Sequence, residues 1–581
     1  MKTIEQINHE KLFIWLPVLL VLICFANTFT YKFVYDDLFQ IIEASSTLGD
    51  WSKENLIRLF DRDIWGFFNQ KFAWDGKQRS QYYRPIFGLA FMVNYSYAGL
   101  NPFAWHVTSV ILHMIAVLLS YKLVSNSLEV IFSYSKNTLA INYIALIASL
   151  CFAIHPAQSE SVAWVSAYVN ALNSIFIFTA LIFYLRFSTS YLWIFISCIF
   201  YILALLTKEA AVVLPVILIC YEFLFTIENN SQLSKLRSSI IRLTPFILTT
   251  IGYFYLRILI FGSIKTKTIA VDFPEMEKYS LLSTLTTLPT ILLNYLKILV
   301  WPFSNNPMYD IRLVFEPTLS NFYLPLFLLL VLTLLTIIVA SKNRLLLFGL
   351  IWLIIPLLPI LDLRSFKPED LIHDRYLYLS TIGFGIVIAL LGKELNTLLT
   401  SSKPGVHPIM LILALSVLML ASIITIRQNN TWSDEWQLWS TAYNNVPNSC
   451  IVNLELGRLS EEDKKDDLMA LSYYQKAKAN CPKSLTLNYK LGLLYGRHGD
   501  LANSEESFQN MLKLTKNRFI LSTAYFNLGF INEKRNNLEL AISNYQAGLK
   551  LNPDGQNSQQ VKQAVKELTE KLELEKSKLP K

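Results

Sequence analysis

The stretch 321–341, NFYLPLFLLLVLTLLTIIVAS, runs for 21 residues without a charged side chain. As a helix it rises about 30 Å, the thickness of a bilayer's hydrocarbon core, so it reads as a membrane span. Runs of comparable length recur at 12–30, 103–124, 138–154, 166–186, 191–207, 210–227, 243–261, 345–362, 376–392 and 407–426, which makes about eleven spans. The composition agrees: of 581 residues, 53% are hydrophobic and only 16% charged, which excludes an ordinary soluble enzyme. Aromatic residues reach 13%, as expected where Trp and Tyr settle at the bilayer interfaces. The net charge of +8 is dispersed, without the Lys/Arg block of a nucleic-acid arm. The fold class expected is all-α, a polytopic helical bundle.

One run behaves differently. The segment 286–302 contains Asn294 and Lys297 and has Pro289 and Pro302 near its ends, so a helix lying in the interface or re-entering it is expected, with a true span as the lesser alternative. At the N-terminus Lys2 and Lys11 precede an apolar run, but no small-residue cleavage site follows, so a retained first span is expected. With that terminus inside, the inner loops hold Lys122, Lys136, Arg186, Lys235, Arg237, Arg242, Lys342, Arg344, Lys393 and Lys403. This satisfies the positive-inside rule. The chain after Arg427 then lies outside, together with the loops 31–102, 155–165, 208–209, 262–320 and 363–375.

After Arg427 the composition turns polar and a period of about 34 to 37 residues sets in. Leu456-Gly457, Leu491-Gly492 and Leu528-Gly529 open three units, Ala470, Ser504 and Ala541 follow, and Tyr474, Phe508 and Tyr545 come four residues later. Pro482 and Pro553 close the first and third. This pattern resembles the tetratricopeptide repeat, in which small residues let paired helices approach and an aromatic ring fills the gap. The expected organisation is a membrane domain 1–427, a connecting helix 428–449, about three repeats over 450–555, and a capping helix with its tail over 556–581. Cys24, Cys151, Cys198 and Cys220 read as small buried hydrophobes, whereas Cys450 and Cys481 are able to pair if the tail is outside the cytoplasm.

The outer loops hold the chemistry. Tyr35 precedes the adjacent acids Asp36 and Asp37, and Arg84, His155, Glu160, Lys208, Glu209, Asp362, His373, Asp374 and Arg375 follow. Singly each has an ordinary explanation: Glu160 as a helix cap, Lys208 as a snorkelling cation, His106 and His113 as structural histidines. Their common sidedness is less easily explained. Acids able to take a proton, beside cations able to hold a phosphate, suit transfer from a phosphate-linked donor. A carrier would place such groups near the bilayer midplane.

The series VYDD, YYRPIFGLAFMVNYSYAGLNPFAWHVTSVILHMIAVLLSY, AIHPAQSESVAWVSAYVNALNSIFIFTALIFY, LLTKEAAVVLPVILICYEFLF and HDRYLYLSTIGFGIVIALL resembles the transmembrane and tetratricopeptide repeat-containing protein family, its bacterial members in particular. These are GT-C class glycosyltransferases similar to protein O-mannosyltransferases. The resemblance implies a transferase moving a sugar, typically mannose, from a polyprenyl phosphate to a protein hydroxyl on the outer face. It implies Asp36 as base with Asp37 supporting it, the order of the two being open. Arg84, Lys208 and Arg375 become candidates for gripping the donor phosphate, and His155, Glu160 and Glu209 for shaping the sugar or acceptor site. The Asp pair is compatible with a divalent metal or with none. The expected setting is a bacterial inner membrane with periplasmic repeats, or alternatively an endoplasmic reticulum membrane with lumenal ones. The competing reading is a non-catalytic, membrane-anchored scaffold for envelope proteins whose repeats do the work.

Overall fold

The computed structural model describes residues 4–68, 82–131, 138–186, 190–225, 232–262, 279–304, 306–340, 343–367, 369–400, 405–555 and 557–577. Lys2, Lys136, Lys342 and Lys403 lie outside the described residues. Among the described residues the elements are helices, α, 3-10 and π, and the chain divides into two compact units.

The first unit comprises Met1–Thr268, Tyr279–Phe366 and Asp370–Thr441. Eight of its described helices are long and apolar enough to cross a membrane, and the bent pair Ala140–Ile154 with Pro156–Ala163 makes a ninth if it is one broken span rather than a re-entrant loop. It is a multi-pass membrane bundle. Burial sorts the spans: 67% of the apolar window in Val165–Leu185 is buried, against 6% in Leu319–Val339 and in Pro408–Trp432. The latter two expose Leu, Ile and Val nearly all round, a surface stable only against lipid.

Two expectations about spans change. The run 286–302 belongs to a continuous 20-residue helix, Leu281–Val300, of spanning length. Asn294 donates its side-chain amide back to the Thr290 carbonyl at 2.8 Å, and Lys297 is exposed near the helix end, so neither polar group interrupts it. Conversely, the described part of the run 210–227, which ends at residue 225, holds a 3-10 turn, Glu209–Val213, and the 12-residue helix Leu214–Phe225. That helix covers about 18 Å, short of the bilayer core.

Several spans end in 3-10 turns. His155 is extended, as the residue before a proline prefers, and Pro156–Gln158 bends the chain by 51° between Ala140–Ile154 and the following helix. Val165–Tyr168, Glu209–Val213, Ile355–Ile360 and Asp374–Leu377 are further such turns.

The second unit comprises Ile269–Lys278, Lys367–Glu369 and Ala442–Lys581. Its helices pair as Cys450–Glu462 with Asp467–Asn480, Leu485–Arg497 with Leu501–Leu514, and Arg518–Lys534 with Leu538–Leu551, before a last helix, Ser558–Ser577. The Leu-Gly positions explain the period. A Cβ on Gly457, Gly492 or Gly529 would meet the ring of Tyr474, Phe508 or Tyr545 at 2.3, 2.7 and 2.5 Å respectively. Ser504, which departs from the usual small residue, is buried and donates to the Gly492 carbonyl at 2.7 Å. The side chains of Ser449, Ser484 and Asn517 cap the first helix of each pair. Cys450 and Cys481 form a disulfide across the first pair, with Cα atoms 5.9 Å apart.

If ring against glycine sets the repeat packing, Gly492→Ala overpacks the second pair by about 1–3 kcal/mol. Hydrogen exchange across 485–514 in the full chain is then expected to quicken by roughly tenfold. Unchanged exchange there would show that the contact contributes no stability.

Candidate functional site

The acids come first. Tyr35 takes a left-handed conformation, φ 56°, unusual for a bulky residue. Its ring packs 5.4 Å from that of Trp164 and 5.6 Å from that of Trp439. Such local strain persists where surroundings over-determine it. Asp37 is fully buried: one carboxylate oxygen accepts from the Ser166 backbone at 2.7 Å and its hydroxyl at 2.5 Å, and the other from Val34 N at 3.2 Å. Burial, reinforced by Asp36, pushes the Asp37 carboxyl up to about 7 against those donors. Asp36 is only half-buried. The structure thereby separates the two acids that the sequence left unordered: Asp37 is tied into the fold and Asp36 borders accessible space.

The cations gather opposite. Arg84 precedes the helix Pro85–Ala98 and grips Glu209 with two nitrogens, at 2.9 and 2.5 Å. Although burial opposes charge on Glu209, the Arg84 guanidinium and then Lys208 hold its carboxyl down at about 2. Arg375 donates to the buried Glu160 through its backbone N–H at 2.9 Å and through its guanidinium. The guanidinium lies 5.3 Å from the Trp164 ring and 5.0 Å from that of Tyr376.

Between these pairs sits Lys208, extended where the helix Leu192–Thr207 ends. Its ammonium donates to Asn170 Oδ1 at 2.5 Å and lies 5.6 Å from the Tyr376 ring. Burial, then Arg84 and Arg375, lower it to about 7, with Glu209 and Glu160 resisting. At neutral pH the group is poised between charge states, so an incoming anion would draw a proton onto it.

Among the residues expected from sequence, contacts link Asp37, Arg84, Glu160, Lys208, Glu209 and Arg375 into one neighbourhood, with Asp36 adjoining in the chain. His155 stands apart. A candidate for shaping the sugar or acceptor site, it engages backbone: Nε2 the Leu299 carbonyl at 2.9 Å, Nδ1 the Ala157 N–H at 3.2 Å. It is a cap for the bend. Sequence reading missed Ser166 and Asn170, whose signal was two polar residues four apart in an otherwise apolar run. It also missed Trp164, Tyr376 and the contact of His373, whose ring nitrogens lie 2.8 Å from Asp370 and 3.6 Å from Glu160. Among the described residues no group of three or more His, Cys, Asp or Glu is placed to hold a metal ion, and both oxygens of Asp37 already accept protein donors.

A tetratricopeptide repeat family model matches residues 522–554. A protein O-mannosyl-transferase of Caenorhabditis elegans is 25% identical over 515 residues, 88% of this chain and 63% of the relative. Protein O-mannosyl-transferase TMTC3 of Homo sapiens is 23% identical over 534 residues, 85% of this chain and 54% of the relative. The chain thus spans between half and two-thirds of the length of these curated relatives. Among solved structures, the archaeal oligosaccharyltransferase AglB from Archaeoglobus fulgidus matches with a TM-score of 0.39 and 14% identity, covering 81% of this chain and 60% of that one. The similarity to these protein O-mannosyl-transferases runs through both the bundle and the repeats of this chain.

Proposed function

We propose that this protein is a membrane glycosyltransferase that moves a sugar, mannose in the first instance, from a polyprenyl-phosphate donor to a hydroxyl of a protein acceptor. The observation that carries the reading is the convergence of Arg84, Lys208 and Arg375 in one neighbourhood, joined to the turn of the half-buried Asp36 through Trp164, whose ring packs against Tyr35 and lies under the Arg375 guanidinium. In the reaction the acceptor oxygen forms a bond to the sugar's anomeric carbon, and the bond from that carbon to the phosphate oxygen breaks. Asp36 takes the acceptor's proton and the polyprenyl phosphate departs with one more negative charge. Glu209 and Glu160 already offset Arg84 and Arg375, so Lys208 is the cation that a phosphate adds to the balance. Trp164 and Tyr376 supply flat surfaces on which a sugar ring can lie. Glu160 and Glu209 shape the site chiefly by fixing the arginines.

The Cys450–Cys481 disulfide supports placing the repeats outside the cytoplasm, since such bonds persist in oxidising compartments. It also supports the positive-inside reading, which puts the same residues there. The repeats, lying beyond the last span, would recruit or present the acceptor.

Three tests follow. Purified protein incubated with radiolabelled polyprenyl-phosphate-mannose and native membrane proteins is expected to transfer label, and Asp36→Asn to reduce it at least about 10²-fold; full activity in that variant removes Asp36 from the mechanism. Asp37→Ala is expected to lose about 3 kcal/mol through the unpaired Ser166 and Val34 donors, seen as a lower unfolding temperature in detergent. Asp36→Asn is expected to lower that temperature less than Asp37→Ala does, and equal losses would mean that both acids are structural. Sidedness is checked with an impermeant maleimide on intact cells or spheroplasts. A cysteine placed in the repeats, with Cys450 and Cys481 replaced by serine, is expected to be labelled without lysis; labelling only after lysis puts the repeats in the cytoplasm.

A further inference from the structure

Ser166 and Asn170 stand four residues apart, one helical turn, where the 3-10 turn Val165–Tyr168 runs into the helix Val169–Leu185. Both are nearly fully buried. Ser166 gives two donors to one oxygen of Asp37, 129 residues earlier in the chain. Asn170 accepts from the Lys208 ammonium, 38 residues later. The orientation of the Asn170 amide is fixed from its other end, where the nitrogen donates to the Ala167 carbonyl at 2.9 Å and toward Ser161 Oγ at 3.3 Å. Only the oxygen is left to face the ammonium.

We propose that Ser166 and Asn170 are positioning residues of the transfer site: a single turn of helix holds the turn bearing Asp36 through Asp37 on one side and aims the phosphate-binding Lys208 on the other, so that base and cation keep a fixed separation. The inference rests on the transferase reading for its functional sense but is testable apart from it. The arrangement suits the task because the 3-10 turn bearing Ser166 runs directly into the α-helix bearing Asn170, a continuous hydrogen-bonded backbone in which the two cannot shift independently. Neither Ser166 nor Asn170 touches the reacting atoms.

The groups facing Lys208 are Arg84 and Glu209, Arg375 and Glu160, the Tyr376 ring, and Asn170 itself. Of these, only Asn170 is an uncharged hydrogen-bond acceptor, so changing it alters the ammonium without breaking either ion pair. The experiment measures the pH dependence of Lys208 labelling by a small acylating reagent, read by mass spectrometry on the detergent-purified full chain. Wild type is expected to show a midpoint near 7. Asn170→Asp is expected to raise it by about one unit or more, because a carboxylate favours the charged ammonium, and Asn170→Ala to lower it. The opposite directions guard against a variant that merely misfolds. If neither variant moves the midpoint, Asn170 does not set Lys208.

On the other side, Asp37 is expected to resist carbodiimide modification in wild type and to react in Ser166→Ala; continued protection overturns the role of Ser166. With transfer established, Ser166→Ala is expected to lower kcat about tenfold with donor KM within about twofold, whereas Asn170→Ala raises donor KM. If wild type transfers no sugar yet the labelling shifts as described, the assigned activity falls and the positioning stands.

Discussion

Charge brought out of water has to be balanced locally, and the region around Lys208 shows how this chain does so. Each guanidinium is matched by a carboxylate on a different element, Arg84 by Glu209 and Arg375 by Glu160. Breaking either pair would leave an uncompensated buried ion, the expensive case. Among the described residues Lys208 has no such carboxylate in hydrogen-bonding reach and leans on a neutral amide and an aromatic ring instead. The pairs also tie sequence-distant turns together, joining residue 84 to 209 and residue 160 to 375. What holds these helix ends in place is therefore the same arrangement that creates the electrostatic character of the site.

Irregular backbone makes this possible. A regular helix end would present four unsatisfied carbonyls to its surroundings. Here the ends unwind into 3-10 turns started by proline at 156 and 356, or by an extended residue such as Lys208; these turns carry Ser166, Glu209 and Arg375, and the short helix after the first carries Glu160. The apolar interior supplies rigidity and the unwound ends supply functional groups, a division of labour suited to a bundle whose outermost helices face lipid.

How much of this was legible depended on whether the signal was local. Hydropathy runs and the repeat of glycine against an aromatic ring are properties of adjacent or regularly spaced residues, so the helical bundle and the paired helices of the tail could be read directly. Asn294 misled because a polar residue in an apolar run looks like an interruption until it is seen bonding back to its own turn at Thr290. The cations and acids were visible by type. Their partners were not: Ser166 and Asn170 are unremarked polar residues in a span, and the distinction between Asp36 and Asp37 depends on a contact to a residue 129 positions away. His155 erred in the other direction. Its chemistry invited a role in the site, but its position before Pro156 commits both nitrogens to backbone.

The disulfide closes within one helix pair, between residues 31 apart. A crosslink that local needs nothing from the later repeats, so it can form as soon as Cys481 has left the ribosome and reached an oxidising compartment. The first repeat then becomes a permanent end-stop, losing about 2–4 kcal/mol of its tendency to fray. Repeat arrays melt from their ends inward. With the first pair closed covalently, fraying is directed toward the last helices of the array, 538–551 and 558–577.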